Sequence, residues 1–305
     1  MMNNKTTVMG ADQKDRAQGA LVGLAVGDAV GTTNEFKVMG HFKPITDMVG
    51  GGPFKLKAGE WTDDTSMALC LAESLIIKEG FDQQDIMSRW VDWMDKGKFS
   101  VKGYCFDIGG TTSGSLNHFK ETGETKGNDS EHSQANGSIM RLAPTAIAAW
   151  RRLDATRLSR RQSYLTHAHK NCLEASARLG QYIYGAIHGH DNPLKSFDGY
   201  MGLEAGWPEQ LLKLKASEIS ASGYVVDTLK AALWGFLTTN SFEKGALRVA
   251  NLGDDSDTVG AVYGQIAGAH YGLSSIPQKW LDKLVDYEMI REMANQLFAL
   301  NLKVS

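Results

Sequence analysis

Glycine falls on every fourth position in two stretches of this chain: Gly19, Gly23, Gly27 and Gly31, then Gly260, Gly264, Gly268 and Gly272. Both stretches otherwise read as apolar helices, so each carries a bare stripe along one face. A glycine inside a helix costs about 1 kcal/mol relative to alanine, and four in register imply that a neighbouring backbone or a ligand comes very close. Tight helix-on-helix packing is the simpler reading. If the two stripes face each other, the last third of the chain is tied to its beginning, and the 305 residues form one domain.

Helical periodicity runs through most of the remaining sequence, while alternating β-branched runs are scarce, so the expected fold is all-α and compact. Asp82, with Asp85 three residues on and Gly97 beyond the apolar positions Ile86, Trp90 and Trp93, marks one helix with both ends defined. Further helices are expected over Ser66–Lys78, Gly137–Trp150, Leu173–Ile187, Val225–Leu237, Asp257–Tyr271 and Tyr287–Leu300. Residues 1–14 are polar, without an apolar core of a secretion signal, and are expected to be a flexible tail ahead of a domain over 15–305. The polar run Lys126–Gln134 is expected to be a mobile surface loop beside a site.

A formal net charge of −3 gives no electrostatic case for nucleic acid or an anionic membrane, and no apolar run reaches the ~20 residues that span a bilayer. Cys70, Cys105 and Cys172 are widely spaced and form no CxxC pair, so neither a disulfide framework nor a thiolate zinc site is indicated. A reducing cytoplasm fits. His167 with His169, and His188 with His190, lack the further ligands that zinc needs. The arginines between Arg151 and Arg161 read as a solvated helix surface.

Two acid-and-hydroxyl clusters stand out, Thr62-Asp63-Asp64-Thr65 and Asp254-Asp255-Ser256-Asp257-Thr258, each at the entrance to an Ala/Gly-rich helix. A helix start uses one oxygen side chain as a cap and gains from a nearby acid. Several carboxylates are left over, and with no Lys or Arg inside either cluster the remaining remedy for their repulsion is a bound cation. Carboxylate and hydroxyl ligands suit a hard cation, Mg²⁺ or Mn²⁺, and two clusters can hold two. Asp28 interrupts an apolar helix and needs a partner or a function. Asp107 stands in the Gly/Thr-rich turn Phe106–Thr112, as a helix cap or as part of an anion site, and Asn136-Gly137-Ser138 admits the same two readings.

Taken in order, Gly27-Asp28-Ala29-Val30-Gly31 with Glu35, Thr62-Asp63-Asp64-Thr65, Asp107-Ile108-Gly109, Asn136-Gly137-Ser138-Ile139-Met140-Arg141, Thr166-His167-Ala168-His169 and Gly253–Gly260 resemble the ADP-ribosylglycohydrolase family, in particular its bacterial dinitrogenase-reductase-activating type. The resemblance covers about residues 15 to 300. It implies a compact all-α fold, two Mg²⁺ or Mn²⁺ ions, and metal-dependent hydrolysis of the bond joining ADP-ribose to a protein side chain, usually arginine. By position it implies Thr62, Asp63, Asp64, Asp255, Asp257 and Thr258 as metal ligands, with Asp254 a neighbour. Asp107 corresponds to the catalytic acid/base and Glu35 to a glutamate at the substrate entrance; Gly109, Asn136, Gly137, Ser138, His167 and Tyr224 correspond to contacts with ADP-ribose. The chain departs from the family pattern in having Asp254 and Gly110 where Gly and Asn are usual.

The expected partners are ADP-ribose and an ADP-ribosylated protein, taken by a monomer with no nucleic acid and no membrane insertion. A serine or O-acetyl-ADP-ribose linkage is the alternative substrate, and a non-catalytic ADP-ribose-binding protein the alternative class. The DDxxD signature of Mg²⁺-dependent isoprenoid synthases is absent, since Thr65, Ser66 and Met67 follow Asp63-Asp64.

Overall fold

The computed structural model describes residues 3–200, 203–204 and 206–303, with the side chains of 3–11 outside that description. The helices in chain order are α1 Asn3–Gly31, α2 Asp63–Lys78, α3 Gln83–Lys96, α4 Gly110–Thr122, α5 Ala143–Ile147, α6 Arg152–Tyr164, α7 Lys170–Ile187, α8 Trp207–Lys213, α9 Val225–Leu237, α10 Phe242–Ala250, α11 Ser256–Tyr271, α12 Gln278–Leu281 and α13 Tyr287–Leu300. Among the described residues extended pairing is confined to isolated bridges, as expected of an all-α fold. Of the expected flexible tail over 1–14, residues 3–14 form the first part of α1, and the rest lie outside the described residues.

The centre of the molecule is the antiparallel pair α1 and α11, brought together by the two glycine stripes. A Cβ on Gly19 would meet Gly268 O at 2.3 Å, one on Gly23 would meet Gly264 O at 2.4 Å, and one on Gly27 would meet Gly260 O at 2.0 Å. Any side chain at these positions would force the helices apart. The register then lays Gly31, the last residue of α1, against Ser256 and Asp257, the first residues of α11. Residues 225 apart in sequence are thereby joined, with Ser256 Oγ donating to Gly31 O at 2.8 Å.

Around this pair the amphipathic helices bury their apolar faces. In α3, Asp82 accepts from Asp85 N at 3.1 Å and Gly97 closes the helix at φ 71°, as the local sequence demands. The buried face of α3 includes Trp90, whose Nε1 donates to Met67 O of α2 at 3.0 Å. Truncating such a core tryptophan costs about 3–5 kcal/mol.

Two expectations need correction. Gly137–Trp150 is not one helix: a 3₁₀ turn at Asn136–Ser138 is followed by the short α5. Pro144 is the reason, since it has no N–H to donate back and is tolerated only in a first turn, where α5 places it. The polar run 126–134 is pinned near both ends, by Gly127 N donating to Tyr164 O at 2.8 Å and Ala168 N to Asn128 O at 2.9 Å, and by Val225 N donating to Gln134 O at 3.0 Å, while Ser133 is buried. Lys126 and residues 128–132 are exposed, and the pinning fixes the backbone on either side of His167.

Candidate active site

Three helix N-termini, those of α2, α4 and α11, meet the C-terminus of α1 at one cleft of about 200 Å³. Glu35, Asp63, Asp107, Asp255, Asp257 and Thr258 line it on the acidic side, and Gly109, Gly110, Thr112, Asn136, Gly137 and His167 on the other. Both acid clusters of the sequence therefore contribute to one site.

Asp28 supplies the reason why α2 starts where it does. Its carboxylate accepts from the backbone N of Thr62 at 3.0 Å and of Thr65 at 3.1 Å, and from their hydroxyls at 3.0 and 2.6 Å. Thr62 makes no side-chain cap of its own, so a residue of α1 caps α2 from a distance and the helix begins at Asp63, three residues earlier than local pattern suggests. Asp63 and Asp64 are thereby freed from capping.

Carboxylate oxygens of Asp28, Asp64 and Asp257 lie within 4.8 Å of one another, as do those of Glu35, Asp107 and Asp257. Asp257 belongs to both trios. Asp28 is already supplied with donors, whereas Asp64 Oδ2 and Asp257 Oδ1 are buried with no partner. Thr62 Oγ1 has one proton for two acceptors, Asp28 Oδ1 at 3.0 Å and Asp257 Oδ2 at 3.2 Å; Thr258 Oγ1 reaches Asp64 Oδ1 at 3.3 Å. This shortage of donors around acceptor-only oxygens is what a hard cation relieves, so the donor set fits a metal centre.

Burial drives the pKa values of Asp63, Asp64 and Asp257 well above the ordinary carboxylate range, and the surrounding carboxylates push them further. Glu35 is raised to about 9 by burial and then by the charges of Asp107 and Asp255. Asp107 is raised to about 7 by burial and then by Asp255 and Asp28. Asp107 sits at φ 62°, in the left-handed region, and caps nothing, because the N-cap of α4 is Gly109. The cap reading of Asp107 is thereby removed, and its carboxyl is left facing the cleft.

Asn136 Nδ2 donates to Asp255 Oδ2 at 2.7 Å and to Thr228 Oγ1 at 2.9 Å, so its amide nitrogen orients an acid of the cluster. Gly137 is required by contact, since a Cβ there would stand 2.8 Å from His167 Cε1. His167 is buried and neutral, its pKa pushed down to about 3 by burial and then by Arg141. Arg141 can only donate, and Nη2 does so to Thr166 Oγ1 at 2.5 Å; the Thr166 hydroxyl can then donate to His167 Nδ1 at 2.8 Å, an arrangement that leaves the ring proton on Nε2. Ser138 and Tyr224 are not among the residues lining the cleft. Ser138 is fully buried, its Oγ accepting from Ser176 at 3.2 Å, and Tyr224 lends backbone in a bridge to Ala135.

Phe36, Thr112, Met140 and the buried Arg141 were not singled out from sequence as members of the site. Phe36 alone has a visible signal, a large apolar residue directly after Glu35, yet nothing in its spacing announces that it is exposed at φ 60° on the cleft rim.

A family profile described as ADP-ribosylglycohydrolase matches residues 9–304. An ADP-ribosylarginine hydrolase, Tri1, of Serratia proteamaculans is 44% identical over 298 residues, covering 94% of this chain and 80% of the relative. An ADP-ribosyl-[dinitrogen reductase] glycohydrolase of Rhodospirillum rubrum is 33% identical, covering 95% of this chain and 97% of that one. A solved chain from an ADP-ribosylglycohydrolase-related protein complex superposes with a TM-score of 0.81 at 38% identity, over 96% of this chain and all of that one. With matched sequence over nearly its whole length and the acids gathered at one cleft, the chain belongs to the ADP-ribosylglycohydrolase family.

Proposed function

We propose that the protein is a hydrolase that removes ADP-ribose from modified arginine side chains, cleaving the N-glycosidic bond and reversing mono-ADP-ribosylation. The observation that carries this reading is the meeting of Asp107 and Glu35 with Asp257 at the cleft, where Asp257 also joins the buried, donor-poor Asp64 behind it. The relatives named for arginine-linked activity supply the linkage.

Thr62, Asp63, Asp64, Asp255, Asp257 and Thr258 would hold two divalent cations, Mg²⁺ or Mn²⁺. Such a centre, when bound, supplies Lewis-acid stabilisation and activates water. Asp107 acts as the general acid/base for the departing guanidine and the incoming water, and Glu35 beside it holds the shared proton and borders the arginine. The N-terminus of α4, opened by Gly109 and Gly110 and lacking an acid in its first turn, presents backbone N–H groups to the diphosphate. Gly137 lets that group approach, His167 Nε2–H adds a neutral donor, and Asn136 keeps Oδ1 for a ribose hydroxyl while its nitrogen holds Asp255. Ser138 and Tyr224 act from behind the wall.

No described helix is long and apolar enough to cross a membrane. The free Cys70, Cys105 and Cys172 suit a reducing cytoplasm, and we take the working form to be a monomer.

The test is a panel of arginine-, serine- and O-acetyl-linked ADP-ribose substrates incubated with metal-loaded protein. Release of free ADP-ribose from the arginine linkage is expected. Release confined to serine or O-acetyl linkages would move the substrate, and tight ADP-ribose binding with no release from any linkage would make this a binding protein.

A further inference from the structure

A second cavity, of about 350 Å³, borders the cleft and shares Phe36 with it. Its apolar lining includes Val38, Met39 and Ile219, and its one acid is Asp254. The main chain welds it to the site: Phe36 N donates to Asp254 O at 2.7 Å, and Asp254 N donates to Lys37 O at 2.9 Å. Phe36 and Asp254 both hold left-handed backbone, at φ 60° and 54°, where glycine would rest without strain.

The Asp254 carboxylate is exposed and, among the described residues, has no hydrogen-bond or ion-pair partner. The basic residue beside it does not serve it. Lys37 Nζ turns back to donate to Thr33 O at 2.7 Å and Asn34 Oδ1 at 3.5 Å. A second carboxylate reinforces the sign: Ser220, which lines this cavity, donates from Oγ to Asp227 Oδ2 at 2.8 Å. Lys37 and Asp254 thus both line an otherwise largely apolar cavity, the lysine already engaged and the Asp254 carboxylate left as its unpaired charge, and the cavity borders the cleft at Phe36.

ADP-ribose carries two negative charges on its diphosphate and would be repelled there; the N–H groups of α4 attract it to the opposite wall. We propose that the cavity receives a cationic side chain, lysine or arginine, that neighbours the modified arginine in the target protein. Its aliphatic stem lies against Phe36, Val38 and Ile219, and its head pairs with the exposed Asp254, as long cationic side chains do where an acid borders apolar surface. This deepens the arginine-hydrolase reading and rests on it. Asp254 is then a residue that selects among targets and has no part in bond cleavage.

The test uses the full-length, metal-loaded protein and synthetic peptides with one ADP-ribosylarginine, flanked within two residues on each side by lysine or by glutamine. The wild type should release ADP-ribose from the lysine peptides with kcat/KM about three- to fivefold higher, mostly through KM, and the preference should shrink as salt is raised. Asp254→Asn keeps a residue that tolerates left-handed backbone and should bring the ratio close to one, with an unchanged melting temperature. Asp254→Gly should do the same. A wild type indifferent to the flanking charge, or an Asp254→Asn variant that keeps the preference, overturns the subsite while leaving the hydrolase intact. Release from neither peptide overturns both readings.

Discussion

Gly27 and Gly260 face each other with no side chain between them: a Cβ on Gly27 would stand 2.0 Å from Gly260 O, and one on Gly260 would stand 2.3 Å from Gly27 O. The contact sets the register of α1 against α11 and, one turn further on, lays Gly31 against Asp257. Core packing and the site's geometry thus share one contact.

Gly27→Ala should therefore damage both. Overpacking a tight core contact costs about 1–3 kcal/mol, and a backbone neighbour cannot move aside as a side chain can, so a fall in melting temperature of several degrees is expected. Metal affinity should fall with it, because Asp257 moves with α11. Gly114→Ala is the control: its Cβ would meet nothing within 4 Å on the exposed face of α4, so stability should be unchanged or higher by about 0.5–1 kcal/mol. Thermal melts of the two variants check both halves.

Asp107→Asn should retain the fold, since the Asp107 side chain caps no helix, and should lower kcat by about 10²- to 10⁴-fold. Single-turnover release of ADP-ribose at matched metal occupancy separates this from a loss of metal. A variant with at least half of wild-type activity would remove Asp107 from the chemistry.

Asn136→Ala takes away the amide that donates to Asp255 Oδ2 at 2.7 Å. An acid left without its orienting partner binds metal about 10- to 100-fold less tightly, with little change in fold. Calorimetric titration of the variant with Mn²⁺ measures it. Unchanged affinity would mean that Asn136 serves the substrate alone.

Much of this was legible in the sequence, for local reasons. The glycine stripes announced the α1–α11 contact because only a backbone approach repays four helical glycines, and the acid clusters announced a hard-cation site because capping needs only one of their oxygens. What stayed hidden depends on distant partners. Asp28 caps α2 across 34 residues of sequence, and so shifts its start from Ser66 to Asp63. Pro144 broke the expected 137–150 helix, a signal present in the sequence and outweighed there by apolar periodicity. The chain from Arg141 through Thr166 to His167 joins residues 25 apart that no periodicity links.

The metal-free protein should lose stability as pH rises. Asp28, Asp107 and Glu35 are raised in the folded state to about 6, 7 and 9. The folded state thus holds protons that the unfolded chain releases near pH 4, so these groups' contribution is fully present below about 4 and is lost as pH climbs through about 6 to 9. Melting temperatures of chelator-treated protein across this range should fall, and divalent metal should restore them with release of protons. A metal-free protein that grows more stable between pH 6 and 9 would show that the acids are paired in some other way.

The most direct measurement is release of free ADP-ribose from an arginine-modified protein by chelator-treated enzyme as Mg²⁺ or Mn²⁺ is returned, with Asp257→Asn run alongside. The account predicts no release before the metal is added, recovery on titration, and failure of the variant to recover, since Asp257 belongs to both carboxylate trios. Full release from metal-depleted enzyme, or an Asp257→Asn variant that recovers like the wild type, would contradict it.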